Sequence, residues 1–129
     1  MRKKTMMMLL MALMVSVGMY AQSDKNVYEV VDVMPSFPGG TSGLITWLKD
    51  NVKYPKDAEK EKLQGRVLVA FVVEKNGSIS NVKIQRSVHP LLDAEAIRVV
   101  KMMPRWEPGK HNNKPVRVRF VLPIVFRLS

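Results

Sequence analysis

The chain has 129 residues, 47% of them apolar and 25% charged, with no cysteine and a formal net charge of +10. That length and balance suit one globular domain, and the missing cysteine excludes disulfides, a lipid-modified N-terminal cysteine, thiolate catalysis and thiolate metal sites. A basic chain raises nucleic acid as a partner, but the first residues argue against that meeting.

Arg2, Lys3 and Lys4 precede an uncharged apolar run, residues 6–20, which ends at Ala21 before polar Gln22-Ser23-Asp24-Lys25. This is the layout of a secretory signal peptide. Cleavage is expected after Ala21, with Gly18 as the alternative site. The rival reading is an uncleaved anchor, but a spanning helix needs about 20 apolar residues. Residues 1–21 are therefore read as signal peptide or short anchor, 22–36 as a tether with an extra strand, and 37–129 as the domain. An exported protein does not meet nucleic acid, so none is expected. Without residues 1–21 the charge falls to +7, eighteen basic against eleven acidic residues. This is read as a solvated surface, with an acidic partner, anionic membrane or wall polymer as the sharper alternative.

Residues 27–34 (VYEVVDVM) are rich in β-branched side chains and predict a strand with untidy alternation. Pro35-Ser36-Phe37-Pro38-Gly39-Gly40 breaks the chain. Thr41 or Ser42 is the expected cap of a helix to about Asn51, with Leu44, Trp47 and Leu48 on one face. Pro55 opens a second, solvated helix to about Leu63, whose buried contacts are Ala58 and Leu63.

Residues 65–74 give the clearest strand, with Val67, Val69, Phe71 and Val73 on one face. Leu68, Ala70 and Val72 make the other face apolar too, either covered or a contact surface. Asn76-Gly77 supplies a hairpin turn. The return strand, residues 79–86, turns Val82 and Ile84 inward, and Ile79 lies out of phase with them, which predicts a bulge. A helix from Pro90 to about Met103 should bury Leu92, Ala96, Val99, Val100 and Met103 and turn Glu95, Arg98 and Lys101 to water. Pro104 ends it. Trp106-Glu107-Pro108-Gly109 reads as a turn and residues 110–114 as a polar loop.

Residues 116–128 form the last strand, apolar at every even position, with Arg117, Arg119 and Arg127 opposite. Pro123 lacks an N–H and belongs at a sheet edge. Such an edge is either merely defended by charge and proline or used for addition of a partner strand.

Tyr54-Pro55, Ala58, Gly65-Arg66-Val67-x-Val69-x-Phe71-x-Val73, Asn76-Gly77, Val82-x-Ile84, Leu92-Asp93-x-Glu95-Ala96, Trp106-x-Pro108-Gly109 and the closing Val-x-Phe-x-Leu-Pro-Ile-x-Phe occur in one order. Together they resemble the C-terminal domain of the TonB family of energy transducers. Phe37-Pro38-Gly39-Gly40 with Trp47-Leu48 is similar to TonB-like proteins of Bacteroides-type bacteria. The resemblance implies an α+β fold, two main helices packed on one face of a small, three- to four-stranded antiparallel sheet. It implies a periplasmic, non-enzymatic domain that pairs its last strand with the TonB box of an outer-membrane TonB-dependent receptor. The expected contacts are Val116, Arg117, Val118, Arg119, Phe120, Val121 and Leu122, with Tyr54 and Pro55 near the first strand. Gly65, Val67, Val69, Phe71, Gly77, Trp106, Pro108 and Gly109 are the motif and core positions. An inner-membrane, proton-driven motor complex is the implied energy source, and pairing into a homodimer is open to such domains.

Two features depart from that family. Its transducers keep a membrane helix bearing a histidine, whereas residues 6–20 are short and hold none. They also carry a long Pro-rich linker, whereas residues 22–36 reach only ~50 Å when extended. The reading is therefore of a free periplasmic binding domain, with a non-energised adaptor or wall-associated protein as the alternative.

No catalytic constellation is visible. His89 is read as a turn residue, His111 as solvated, and neither belongs to a metal motif. Asp93 and Glu95 point to different sides of their helix, which suits structural roles. No cofactor or metal is expected.

Overall fold

The computed structural model describes residues 26–128, which run in the order β1 (Val27–Tyr28), α1 (Gly40–Asn51), α2 (Lys56–Lys60), β2 (Gly65–Val73), β3 (Ile79–Arg86), α3 (Pro90–Lys101), β4 (Gly109–His111) and β5 (Lys114–Phe126). The signal-peptide reading of residues 1–21 lies outside the described residues. No helix among the described residues is long and apolar enough to cross a membrane.

The sheet order is β1-β5-β2-β3, with β4 paired to β5. The β-branched sequence of β2 puts it at the centre. It pairs antiparallel with β5 from Gly65↔Phe126 to Val73↔Val118, and with β3 on its other side. Val67, Val69, Phe71 and Val73 are at most 1% exposed and face the helices. Leu92, Ala96, Val99 and Val100 of α3, Ala58 of α2, and Leu44, Trp47 and Leu48 of α1 close this single core. The architecture is α+β, as the sequence implies. Three helices stand among the described residues, and the sheet is mixed, because β1 runs parallel to β5.

The expected bulge sits at Asn81. Ala70 pairs with Lys83 and Val72 with Ser80, so Asn81 and Val82 together oppose Phe71. Asn81 takes φ 50°, and the extra residue returns Ile79 to the core side shared by Val82 and Ile84.

Four local expectations are corrected. Residues 27–34 form only the two-residue β1. Beyond it, single bridges at Val33↔Lys110 and Ser36↔Glu107 hold the segment as a strap, and the Asp32 carboxylate accepts the Asn112 N–H at 2.9 Å. Helix α1 is capped by Gly39 at φ 86°, not by Thr41 or Ser42. The Gly39-Gly40 turn tucks Phe37 under the helix through a Gly40 N–H to Phe37 carbonyl bond of 2.7 Å. The polar loop at 110–114 is a hairpin between β4 and β5. Asn112 and Asn113 supply φ 54° and 66°, the left-handed pair that a two-residue turn requires.

Glu95 is the fourth. It is buried at 9% exposure rather than turned to water. Its carboxylate accepts the Lys53 N–H and both the Nε and Nη2 of Arg98, each at 2.7 Å. Arg98 Nη2 also donates to the Asn51 carbonyl at 3.0 Å. The pair thus satisfies orphan groups at the end of α1 and locks that helix to α3. Burial pushes the Glu95 carboxyl up, but the bonds from Arg98 and Lys53 outweigh it and hold it below its ordinary value. A depressed carboxyl stabilises the fold above its unfolded pKa and loses that contribution as pH falls through the folded value. Glu95→Ala should cost about 2 kcal/mol at neutral pH, since charged bonds to buried groups are lost. In urea melts the gap between variant and wild type should shrink as pH falls from the ordinary carboxylate range through the lower folded value, as the wild-type carboxyl protonates. A gap unchanged by acid would refute the clamp.

Candidate functional site

Strand β5 carries the candidate site because one of its two sides is incompletely paired. Its register with β2 runs unbroken through Leu68↔Pro123. A proline has no N–H to give, so an intact ladder requires its nitrogen to face away from β2. Alternation along the strand then turns the main-chain N–H and C=O of Val121 and Val125 outward as well.

The chain's own strands pair with the first part of β5. Val116 pairs with Gly109 of β4. Arg117 and Val118 pair with Val27 and Tyr28 of β1. Over residues 119–126 no strand among the described residues pairs outside β5. The expected contact strand is therefore divided. Val116, Arg117 and Val118 lie under the chain's own strands, whereas Arg119, Phe120, Val121 and Leu122 lie in the open part.

Two hollows flank the open edge. One, of about 290 Å³, is lined by Glu29, Met34, Arg119, Phe120 and Val121. The other, of about 420 Å³, lies where α1 overhangs the edge, between Ile45, Leu48 and Val52 and the strand residues Pro123 and Val125. Ile45 and Val125 are 49% and 52% exposed there. The sequence reading missed Glu29, Met34, Ile45 and Val52. The only signal was Ile45, an apolar residue just off the Leu44-Trp47-Leu48 stripe.

The arginines of β5 do not guard the edge. They lie over the sheet face away from the helices. Arg117 Nε donates to Glu74 at 2.8 Å, and Ser80 Oγ donates to the same carboxylate. The Arg117 bond, with help from Ser80, holds the Glu74 carboxyl below its ordinary value against the opposing effect of burial. Arg119 Nη2 reaches across β2 to Gln85 at 3.1 Å, and its Nη1 lies 3.7 Å from Glu29.

Tyr54 packs edge-on against Phe126 at 5.6 Å, and its hydroxyl donates to the Leu63 carbonyl. Burial, then the Glu59 charge, pushes its phenol up. Pro55 is the residue before α2. Both stand at the far end of β5, where Gly65 pairs with Phe126. Trp106 is 3% exposed and meets Phe37, Phe71 and Phe120 with ring centroids 5.0–5.7 Å apart. Pro108 and Gly109 lead from it into β4, Gly109 lying against Val118. Phe120 thus ties the open edge to the aromatic core.

The polar groups away from the edge have structural tasks. His89 caps α3, its Nδ1 accepting the Leu91 N–H at 3.1 Å. Asp93 accepts from Ser87 Oγ and from the Val88 N–H. His111 packs at a tilt against Tyr28, ring centroids 5.4 Å apart, and its Nδ1 lies 3.6 Å from Asp32. Among the described residues no three His, Cys, Asp or Glu side chains are grouped to hold a metal ion. What the edge offers chemically is main-chain hydrogen bonding to an extended chain, with one mainly apolar hollow and one of mixed character beside it.

Residues 50–128 match the family described as Gram-negative bacterial TonB protein C-terminal. Two solution structures of the Helicobacter pylori TonB-CTD share the fold. The one of its residues 179–285 aligns at 24% identity and TM-score 0.50, over 65% of this chain and 76% of that one. The one of residues 194–285 aligns at 24% identity and TM-score 0.50, over 66% of this chain and 89% of that one. No curated protein matches the chain.

Proposed function

The chain belongs to the TonB protein C-terminal family, and from that premise we propose that it is an exported periplasmic module that binds N-terminal segments of outer-membrane receptors by β-strand addition. The observation that carries this reading is the unpaired outer side of β5 over residues 119–126. Val121 and Val125 offer it outward N–H and C=O groups, and Pro123 offers a carbonyl alone. Strand addition draws its affinity from such main-chain bonds and its selectivity from pockets for alternate side chains. The hollows beside Met34 and beneath Ile45 supply such pockets. The work is binding in support of energy-coupled transport, not catalysis.

Titrating the full chain with synthetic peptides from the N-termini of outer-membrane receptors tests the proposal. Saturable amide shifts in the NMR spectrum at Arg119, Val121 and Val125 are the expected result. Failure of every such peptide to bind would sink it. Sequencing the mature N-terminus decides separately whether residues 1–21 are removed.

A further inference from the structure

The sheet face opposite the helices collects positive charge. Register places Arg66, Leu68, Ala70 and Val72 of β2 on it, between Arg86 and Lys83 of β3 and Arg119 of β5. Arg66, Lys83 and Arg86 are exposed. All three helices pack on the other side. Ala70 and Val72 are 1% and 5% exposed, roofed by long side chains such as the Arg119–Gln85 pair rather than by a second layer. Two carboxylates approach this face. Glu74 is already held by Arg117 and Ser80, and Glu29 stands 3.7 Å from Arg119 at its rim. Asp57, Glu59, Asp93 and Glu95 sit on α2 and α3, in the opposite layer.

The chain also enters at this face. Val27 lines the same open hollow as Ala70, Val72, Lys83 and Arg119. A broad cationic face, with Val27 beside it, thus lies on the side of the domain away from the helices. We propose that this face rests on an anionic phospholipid surface, with Arg66, Lys83, Arg86 and Arg119 over the headgroups. It leaves the outer edge of β5 clear for a partner. Cations spread across three strands suit an extended anionic surface better than a threaded peptide, and soluble polyglutamate in the test below separates a bilayer from a free polyanion.

The test is partitioning of the full chain onto phosphatidylglycerol-containing against pure phosphatidylcholine vesicles, at low and high salt. The wild type should prefer the anionic vesicles and lose the preference as salt screens it. Each cation near such a surface is worth about fivefold, so Lys83→Gln/Arg86→Gln should lower the preference roughly thirtyfold with an unchanged thermal melt. Lys56→Gln/Lys60→Gln removes the same charge from α2 and should leave the preference intact. All three proteins carry the same N-terminal segment, so its contribution cancels. The proposal is overturned if the two double variants fall alike, if the wild type shows no anionic preference, or if soluble polyglutamate binds it more tightly than the vesicles do.

Discussion

Gly77→Ala is expected to destabilise the domain by roughly 3–4 kcal/mol, the range of a severe backbone clash added to left-handed strain. Gly77 lies in the turn between β2 and β3 at φ 89°. Its N–H donates to the Glu74 carbonyl and its carbonyl accepts the Trp106 N–H, at 2.8 and 2.9 Å. An added Cβ would stand 2.1 Å from the Trp106 carbonyl oxygen and 3.2 Å from its carbon. Both are main-chain atoms, so no rotamer change relieves the contact. Either the turn opens or Trp106 withdraws from Phe37, Phe71 and Phe120, and each route damages the core. For a domain of about 100 residues this corresponds to a fall in Tm of roughly 15–25 °C. Gly40→Ala is the control. Gly40 also has positive φ, 72°, but nothing lies within 4 Å of its added Cβ. It should show only the strain of the left-handed conformation, about 1 kcal/mol. Equal melts for the two variants would show that the contact with Trp106 is unimportant.

Val121→Pro should weaken binding of a receptor peptide by about thirtyfold while leaving the fold nearly intact. Its nitrogen faces outward, as Pro123 does, so the ladder between β2 and β5 loses no donor. The incoming strand does lose one, and its facing carbonyl is left without a partner, at about 2 kcal/mol. Leu122→Pro is the contrasting change. Leu122 pairs with Val69 inside the sheet, its N–H faces β2 by the same alternation, and that variant should unfold. Isothermal titration against the same peptide, with melts alongside, separates the outcomes. A Val121→Pro protein that binds like the wild type would rule out strand addition at this edge.

Much of this architecture was legible in the residues. The even-numbered apolar positions of residues 116–126, the alternation in β2 and the stripe on α3 fix which faces are buried, because burial of one face is what makes each pattern stable. Pro123 marked the edge, since a missing N–H is a local covalent fact. The phase slip between Ile79 and Val82 foretold a bulge, although its place at Asn81 depended on pairing with β2. The site was only half legible. That Arg117 and Val118 are covered by β1 follows from a pairing across ninety residues, Val27 to Arg117, which no local pattern encodes. Glu95 misled for a related reason. A carboxylate two places from Asp93 on a helix reads as solvated, and only the approach of Lys53 and Arg98 makes its burial tolerable.

The sequence by itself determined the class of fold, the central strand, the turn at Asn76-Gly77 and the presence of an edge. These depend on side-chain period and on backbone freedoms that neighbouring residues set. Only the tertiary structure decided how much of the edge is open, which helix overhangs it, and that the arginines gather on the uncovered face. Those depend on strand order and register, which arise when distant segments compete for the same hydrogen bonds and the same buried surface.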